Sequence, residues 1–451
     1  MRIHFIAIGG SIMHSLALVM HQRGHVVTGS DDEIYEPSRS RLEDKGLLPP
    51  EIGWHPDRIN ADLDVVVLGM HARGDNPELK RAQELGLKIE SFPQFMFNIS
   101  KDKTRIVVAG SHGKTTTSGM IAHVLATAGI EADRMIGAKI GDLEPVAISN
   151  ASVIVLEGDE YLSSPMDPRP KFLHYQPHIT IITGIAWDHM NVFPTYADYV
   201  DQFRQLIASL SPESILIYCA GDQDLADLVA EMAPACKCIA YNTHAYKLDN
   251  GKVVIQDEEG TDYELEIFGN HNLQNLQAAL LATQAIGLPP ERFYKAIRSF
   301  TGASKRLQTL YQGEHFKAYL DFAHAPSKVR ATVNAVREKH PDAYLIACLE
   351  LHTFSSLNPS FLPQYKDALS EADIKIVYYS PHTLEIKKLP DLSVSQLSGY
   401  FNEPELQIAT SGAALEQLVL NAKKDRPMVL LWMSSGRFDG LDIYAVSSKF
   451  I

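Results

Sequence analysis

The sequence predicts a mixed α/β protein of three domains, each built on a mainly parallel sheet. Three observations carry this. Short β-branched apolar runs alternate with helix-period stretches along the whole chain. Glycine-rich or acidic residues stand where those runs end, and 451 residues are more than one core usually serves. The domains are read as residues 1–102, 103–303 and 304–451. Apolar residues make up 45% and charged residues 21%, which excludes disorder as the dominant state. A net charge of −14 excludes a general nucleic-acid coat, which needs clustered Lys and Arg.

The first segment opens with a strand read as Ile3 to Ile8, then Gly9-Gly10-Ser11 and a helical stretch from Ile12 to Arg23. A second strand, His25 to Thr28, ends at Gly29-Ser30-Asp31. This is the order of a nucleotide-binding βαβ unit, and Asp31 stands at the distance from Gly9 at which an acid meets a ribose. The first domain is therefore expected to be Rossmann-like. The loop is not a full G-x-G-x-x-G, and a plain turn with a solvated Asp31 has the same spacing. Asp64 to Gly69 gives a further buried parallel strand.

After the polar stretch Ser100-Lys101-Asp102-Lys103 comes the strongest motif. The strand Arg105 to Ala109 feeds Gly110-Ser111-His112-Gly113-Lys114-Thr115-Thr116-Thr117, then a helix with Met120, Ile121, Val124 and Leu125 on one face. Backbone N–H groups at a helix start attract phosphates. Lys114 supplies a cation for the outer phosphates and Thr115 a hydroxyl for Mg²⁺. The loop is shorter than the common G-x-x-x-x-G-K-[ST], but strand and helix flank it correctly, so a central P-loop ATPase domain with a parallel sheet is expected.

Two further apolar strands, Val153 to Leu156 and Ile179 to Gly184, run into Glu157-Gly158-Asp159-Glu160 and Trp187-Asp188-His189. Ligands gather at the carboxyl ends of parallel strands, so Glu157 and His189 join Thr115 as candidate Mg²⁺ ligands. Taken singly, either is more often a surface or capping residue. Asn272 and Asn275 lie near the start of an Ala- and Leu-rich helix, where Asn usually caps; three apart, they share a face that could also read a base edge.

The third segment has a strand, Ala318 to Asp321, then Phe322-Ala323-His324-Ala325-Pro326 and a helix from Ser327 to Glu338. Strands follow at Tyr344 to Cys348, Ile374 to Tyr378 and Met428 to Trp432, the last running into Ser434-Ser435-Gly436-Arg437. This alternation makes the third domain Rossmann-like as well, with Ser435 at its ligand edge. Cys219, Cys236, Cys238 and Cys348 form no disulfide framework, and Cys236-x-Cys238 lacks a second pair at zinc spacing. No signal peptide or ~18-residue apolar span is read, so the expectation is a cytoplasmic protein with no membrane partner.

Together these motifs resemble the Mur ligase family, the ATP-dependent amide-forming enzymes of peptidoglycan synthesis, and the resemblance covers the whole chain. Gly110 to Thr117 is similar to its ATP loop, Glu157-x-Asp159-Glu160 and Asp188-His189 to its magnesium-side motifs, and His271-Asn272-x-x-Asn275 to its adenine-side motif. The last reverses the capping preference. Arg306 sits where the family has an ATP-contacting arginine, and Asp321-Phe322-Ala323-His324-x-Pro326 resembles a C-terminal motif whose Asp touches the ribose.

The resemblance implies ATP and Mg²⁺, a carboxylate activated as an acyl phosphate, and an amine that displaces phosphate. It implies catalytic roles for Lys114, Glu157, His189 and Arg306. It places ATP on Gly110, Ser111, His112, Gly113, Lys114, Thr115, Thr116, Asn272, Asn275, Arg306 and Asp321. Substrate contacts are expected at Gly9, Gly10, Ser11, Met13, Asp31, His324 and Ser435. The Gly10 to Ala17 stretch is similar to members that take UDP-N-acetylmuramate itself, as monomer or homodimer. Arg73 to Pro77, Asp167 to Tyr175 and Met433 to Gly440 resemble the members attaching a tripeptide more than those adding L-alanine.

Departures occur at Gly158, at Gly184 where Asn is usual, at Ala325 where a second His is common, and at Leu349 to Phe354, which lacks an Arg. They keep open a weakened nucleotide-binding relative. A folylpolyglutamate synthetase-like ligase shares the ATP loop but normally lacks the first domain. A dehydrogenase reading of the Gly9 loop leaves the central constellation unexplained.

Overall fold

The computed structural model describes residues 1–70, 72–188, 190, 192–249 and 251–451. Three mainly parallel sheets follow one another along the chain. The first has four parallel strands in the order Val26–Ser30, Arg2–Ile6, Val65–Leu68, Ile89–Ser91. Val65–Leu68 is buried at every residue, as a strand covered on both faces must be. The first strand closes at Ile6, two residues earlier than the apolar run predicts, because Ala7 takes φ 69° and turns the chain into the Gly9-Gly10 loop.

The central sheet has seven strands in the order Lys237–Tyr241, Ile215–Cys219, Ile179–Ile182, Thr104–Ala109, Val153–Glu157, Asp133–Met135, Val146–Ala147. All pairings are parallel except at the last, edge strand. The chain leaves Thr104–Ala109 to build one side of the sheet and returns to build the other. That strand is thus the topological switch point, where the loops on either side part and open a crevice. Glu157 ends the neighbour on one side, and Thr183 follows the neighbour on the other. A three-stranded antiparallel sheet, Tyr246–Asp249, Lys252–Gln256 and Asp262–Leu265, is an addition that the sequence reading did not contain.

The third sheet runs Gln308–Gln312, Phe316–Asp321, Met428–Met433, Tyr344–Leu351, Ile374–Tyr379, Gln407–Ala409, with only the first strand antiparallel. Trp432 is fully buried in its core. The strand read as Tyr344 to Cys348 continues to Leu351, so Glu350 lies buried within the sheet. Among the described residues no helix is long and apolar enough to cross a membrane.

Arg105 ties the first segment to the central sheet. Its guanidinium, 5% exposed, donates to the carbonyls of Ser100, Lys101 and Lys103 on the approach and of Tyr175 and Gln176 beyond, at 2.7–3.1 Å. It also lies 5.2 Å from the Phe97 ring centroid. Only a planar fork reaches five carbonyls at once; a lysine offers donors at one point. Arg105→Lys is expected to lower global stability by about 2 kcal/mol, because buried carbonyls left without donors cost ~1–3 kcal/mol. The urea midpoint at constant m-value measures it.

Candidate active site

The loop at the switch point is shaped by two glycines. Gly110 takes φ +124°, and a Cβ there would stand 2.8 Å from the backbone nitrogen of Thr183. Gly113 takes φ +78°, and a Cβ there would run into the Asn275 amide. The helix Lys114–Thr127 begins directly after it with no side-chain cap, so the first-turn N–H groups face the loop. His112 Nδ1 is buried without a partner among the described residues. Unpaired donors on a glycine-lined concave loop suit a polyphosphate.

Lys114 stands at the mouth, its side chain 12% exposed. Nζ donates to the Gly110 carbonyl at 2.6 Å and pairs with Glu160 at 3.0 Å. Burial works against the ammonium, but Glu160, Asp159 and Glu157 outweigh it and hold its pKa well above the usual lysine range. Thr115 Oγ1 donates to Glu157 Oε1 at 2.8 Å, and Gly137 N donates to Glu157 Oε2 at 2.7 Å. Burial, with Asp159 beside it, pushes the Glu157 carboxyl up. A cation would relieve that cost. The donors are hard oxygens, and Mg²⁺ commonly takes one or two carboxylates together with phosphate oxygens and water. Among the described residues no cluster of three or more His, Cys, Asp and Glu gathers to hold a metal by itself. The third expected ligand, His189, lies outside the described residues.

On one side of this loop is a cleft of about 250 Å³ between the central and third sheets. The loop supplies Ser111, His112, Gly113 and Thr116; the helix Asn270–Ala285 supplies His271, Asn272 and Asn275. Gly269, not an asparagine, caps that helix, and Asn272 Nδ2 donates to the Phe268 carbonyl at 2.9 Å. Neither Asn is therefore the N-cap, and both residues line the cleft. Arg306 and Asp321 enter from the third segment. The Arg306 guanidinium lies 4.8 Å from the Phe322 ring centroid. Asp321 accepts from the backbone N–H of Leu307 and of Ala323, each at 2.7 Å, which fixes its carboxylate at the strand end.

On the other side, a cleft of about 230 Å³ joins the first segment to the central sheet. Gly10, Ser11 and Met13 line one wall; Glu157, Asp159, Lys171 and Tyr175 line the other. Gly9 N donates to Asp31 Oδ2 at 2.7 Å, so Asp31 clamps the turn instead of standing solvated. Burial pushes the Asp31 carboxyl up to about 6; the Gly9 N–H opposes this and Asp32 adds to it.

His324 and Ser435 line neither cleft. The His324 ring hydrogen-bonds the Phe322 carbonyl at 2.9 Å. The Ser435 hydroxyl is buried and unpaired among the described residues. Beside it Ser434 donates to Glu350, which also accepts from Phe438 N at 2.9 Å. The sequence reading missed Glu160 as the partner of Lys114, Lys171 as the partner of Asp159 at 2.9 Å, and Lys328, which lines the cleft between the central and third sheets. The signal for Lys328 was present: it stands in the first turn of a helix that follows a parallel strand end.

Residues 108–283 match the family model for the Mur ligase middle domain, and residues 2–104 match the one for the Mur ligase family, catalytic domain. A UDP-N-acetylmuramate–L-alanine ligase of Ligilactobacillus salivarius is 31% identical over 380 residues, 82% of this chain and 81% of that protein. An Escherichia coli UDP-N-acetylmuramate–L-alanyl-gamma-D-glutamyl-meso-2,6-diaminoheptandioate ligase is 31% identical over 363 residues, 78% of this chain and 79% of that protein. The crystal structure of a murein peptide ligase from Psychrobacter arcticus superposes with a TM-score of 0.68 at 23% identity, covering 100% of this chain and 99% of that one.

The Asp31 clamp has a pH signature. With its folded pKa near 6 against an ordinary 3.8, the native state keeps a proton that the unfolded chain has released. Stability therefore falls as pH rises from about 4 to about 6. Asp31→Asn is expected to remove that decline, a gain of about 2 kcal/mol at pH 7 after allowing for partial solvent screening. Urea midpoints of both proteins at pH 4.5 and 7 measure it.

Proposed function

This chain belongs to the Mur ligase family, and from that we propose that it is an ATP-dependent, ADP-forming ligase joining the carboxylate of UDP-N-acetylmuramate to a peptide amine. The observation that carries the reading is the position of Glu157. It lines the cleft beneath Gly10 to Met13 and bonds Thr115, whose neighbour Thr116 lines the cleft beneath Asn272. A sugar carboxylate in one cleft and a triphosphate in the other would meet at that carboxylate and at Lys114.

The roles follow from this placement. Asn272, Asn275 and Asp321 take the nucleoside side, Ser111 to Thr116 the phosphates, and Arg306 offsets charge on the transferred phosphoryl group. Gly9, Gly10, Ser11 and Met13, with Asp31 behind them, take the UDP-sugar. The muramyl carboxylate attacks the terminal phosphorus, the bond to the bridging oxygen breaks, and ADP leaves. The amine then attacks the acyl phosphate carbon, phosphate departs, and the amine gives up a proton. Bound Mg²⁺, held by Thr115, Glu157 and His189, would offset charge on the transferred group. Lys114 orients that group and offsets its charge, while closure of the third domain, which brings His324 and Ser435 toward the amine, keeps water from the acyl phosphate.

We favour a tripeptide over L-alanine as the amine. Arg73 to Pro77, Asp167 to Tyr175 and Met433 to Gly440 support this, and the Escherichia coli relative is named for a tripeptide. L-alanine remains the second reading, since a relative named for it is equally similar.

The test is phosphate release from Mg-ATP with UDP-N-acetylmuramate and either L-alanine or L-Ala-γ-D-Glu-meso-diaminopimelate. Release with the tripeptide only is expected. Release with alanine only would replace the tripeptide reading, and release with neither would leave a weakened relative. Lys114→Ala is expected to lower turnover by about 10²–10³-fold, the usual scale for removing one preorganised charge-stabilising group. Thr115→Val is expected to raise the Mg²⁺ concentration needed for half-maximal rate, read from a Mg²⁺ titration at saturating ATP.

A further inference from the structure

Lys328 belongs to the third segment, yet its ammonium lies in the cleft against the loop of the central one. It sits in the first turn of the helix Pro326–Lys339, which starts with Ala325 as an N-cap that offers no side-chain bond. The next residue inward, Ser327, meets His112 of the phosphate loop, with Oγ 2.5 Å from the ring Nε2. The turn therefore presses on the loop itself, not on a distant wall.

The present partner of Lys328 is Asp188, at 3.0 Å, with the lysine side chain 17% exposed and the aspartate 4%. Besides Asp188, the charges acting most strongly on it are the cations Lys114 and Arg306. Burial, together with those two cations, works against the Lys328 ammonium. Burial and Lys328 likewise push His112 well below the ordinary histidine range. Lys328 and Arg306 thus line the cleft, together with Asp222 and Asp321, and Lys114 is near enough to act on Lys328, although the chain as a whole carries −14. Lys114 is already matched by Glu160, with Glu157 and Asp159 close behind. A triphosphate entering here would bring more negative charge than Lys114 can offset, and Lys328 is the cation best placed to answer it.

We propose that Lys328 is a further catalytic residue, a cation delivered by the third domain that exchanges Asp188 for an oxygen of the terminal phosphate when the triphosphate binds. This rests on the ATP reading above. Arg306 lines the same cleft beside Asp321 and Leu307, so Lys328 would share the phosphate chain with Arg306 and Lys114. No bond is made or broken in the exchange; one ion pair replaces another. Its consequence is that the third domain reads the length of the phosphate chain: a diphosphate leaves Lys328 on Asp188, and a triphosphate draws it across.

Titration calorimetry of the full chain with Mg-AMP-PNP and with Mg-ADP tests this without turnover. Lys328→Met is expected to weaken AMP-PNP about ten-fold or more, the scale of a charge-assisted bond to phosphate, and to leave ADP within about two-fold. Lys328→Arg should recover most of the loss. Equal weakening of both nucleotides, or none of either, would overturn the assignment while leaving the ATP reading intact. Failure of the unaltered protein to bind either nucleotide would remove both. Should Lys328→Met not fold, Asp188→Asn tests the exchange from the other side: it should raise the preference for AMP-PNP over ADP, and an unchanged preference overturns the proposal.

Discussion

A lysine held among three carboxylates is the constraint on which the rest of the architecture turns. Lys114 keeps its charge in a largely buried site only because Glu160, Asp159 and Glu157 surround it. Those carboxylates in turn tolerate burial only with cations nearby: Glu160 has Lys114 and Asp159 has Lys171. Neither set is stable without the other, since an unpaired buried charge costs several kcal/mol. The cluster requires the strands Thr104–Ala109 and Val153–Glu157 to be adjacent and parallel, which places the loop and the carboxylates at the same sheet edge.

That edge also explains why two clefts open back to back. At a switch point the connections on either side of one strand diverge, and the space between them is accessible from both faces. The first segment covers one opening with the Gly10 to Met13 turn, held by the Asp31 clamp. The third covers the other with Arg306, Asp321 and the helix start at Pro326. Glu157 belongs to one cleft and bonds Thr115, whose neighbour Thr116 lines the other. A two-substrate ligase needs this arrangement, because its reacting groups must approach from opposite sides while sharing one field of charge.

One apolar cluster runs through all three segments, and polar pairs add to it at the junctions. Arg105 fixes the first junction through backbone carbonyls, a rigid attachment that no change of ligand would disturb. At the second junction Lys328 pairs with Asp188 and His112 meets Ser327, alongside contacts such as Met190 N to Ser355 and Tyr246 to Glu338.

The sequence by itself determined the local elements. β-branched runs mark the strands, glycines at Gly110 and Gly113 mark a loop that needs positive φ, and the order of the motifs carries the family resemblance. It also located Thr115 and Glu157, because residues at the ends of parallel strands share one edge whatever the strand order. Three things came only from the tertiary structure. Asp159 pairs with Lys171, a partner read as part of a different stretch. Asp31 clamps Gly9 instead of meeting solvent. Lys328 crosses a domain boundary to Asp188, a partner 140 residues away. The physical reason is common to all three. Elements follow from short-range sterics and hydrophobic period, whereas a charge or hydrogen-bond partner is chosen at about 3 Å by strand order and domain docking, which sequence spacing does not encode.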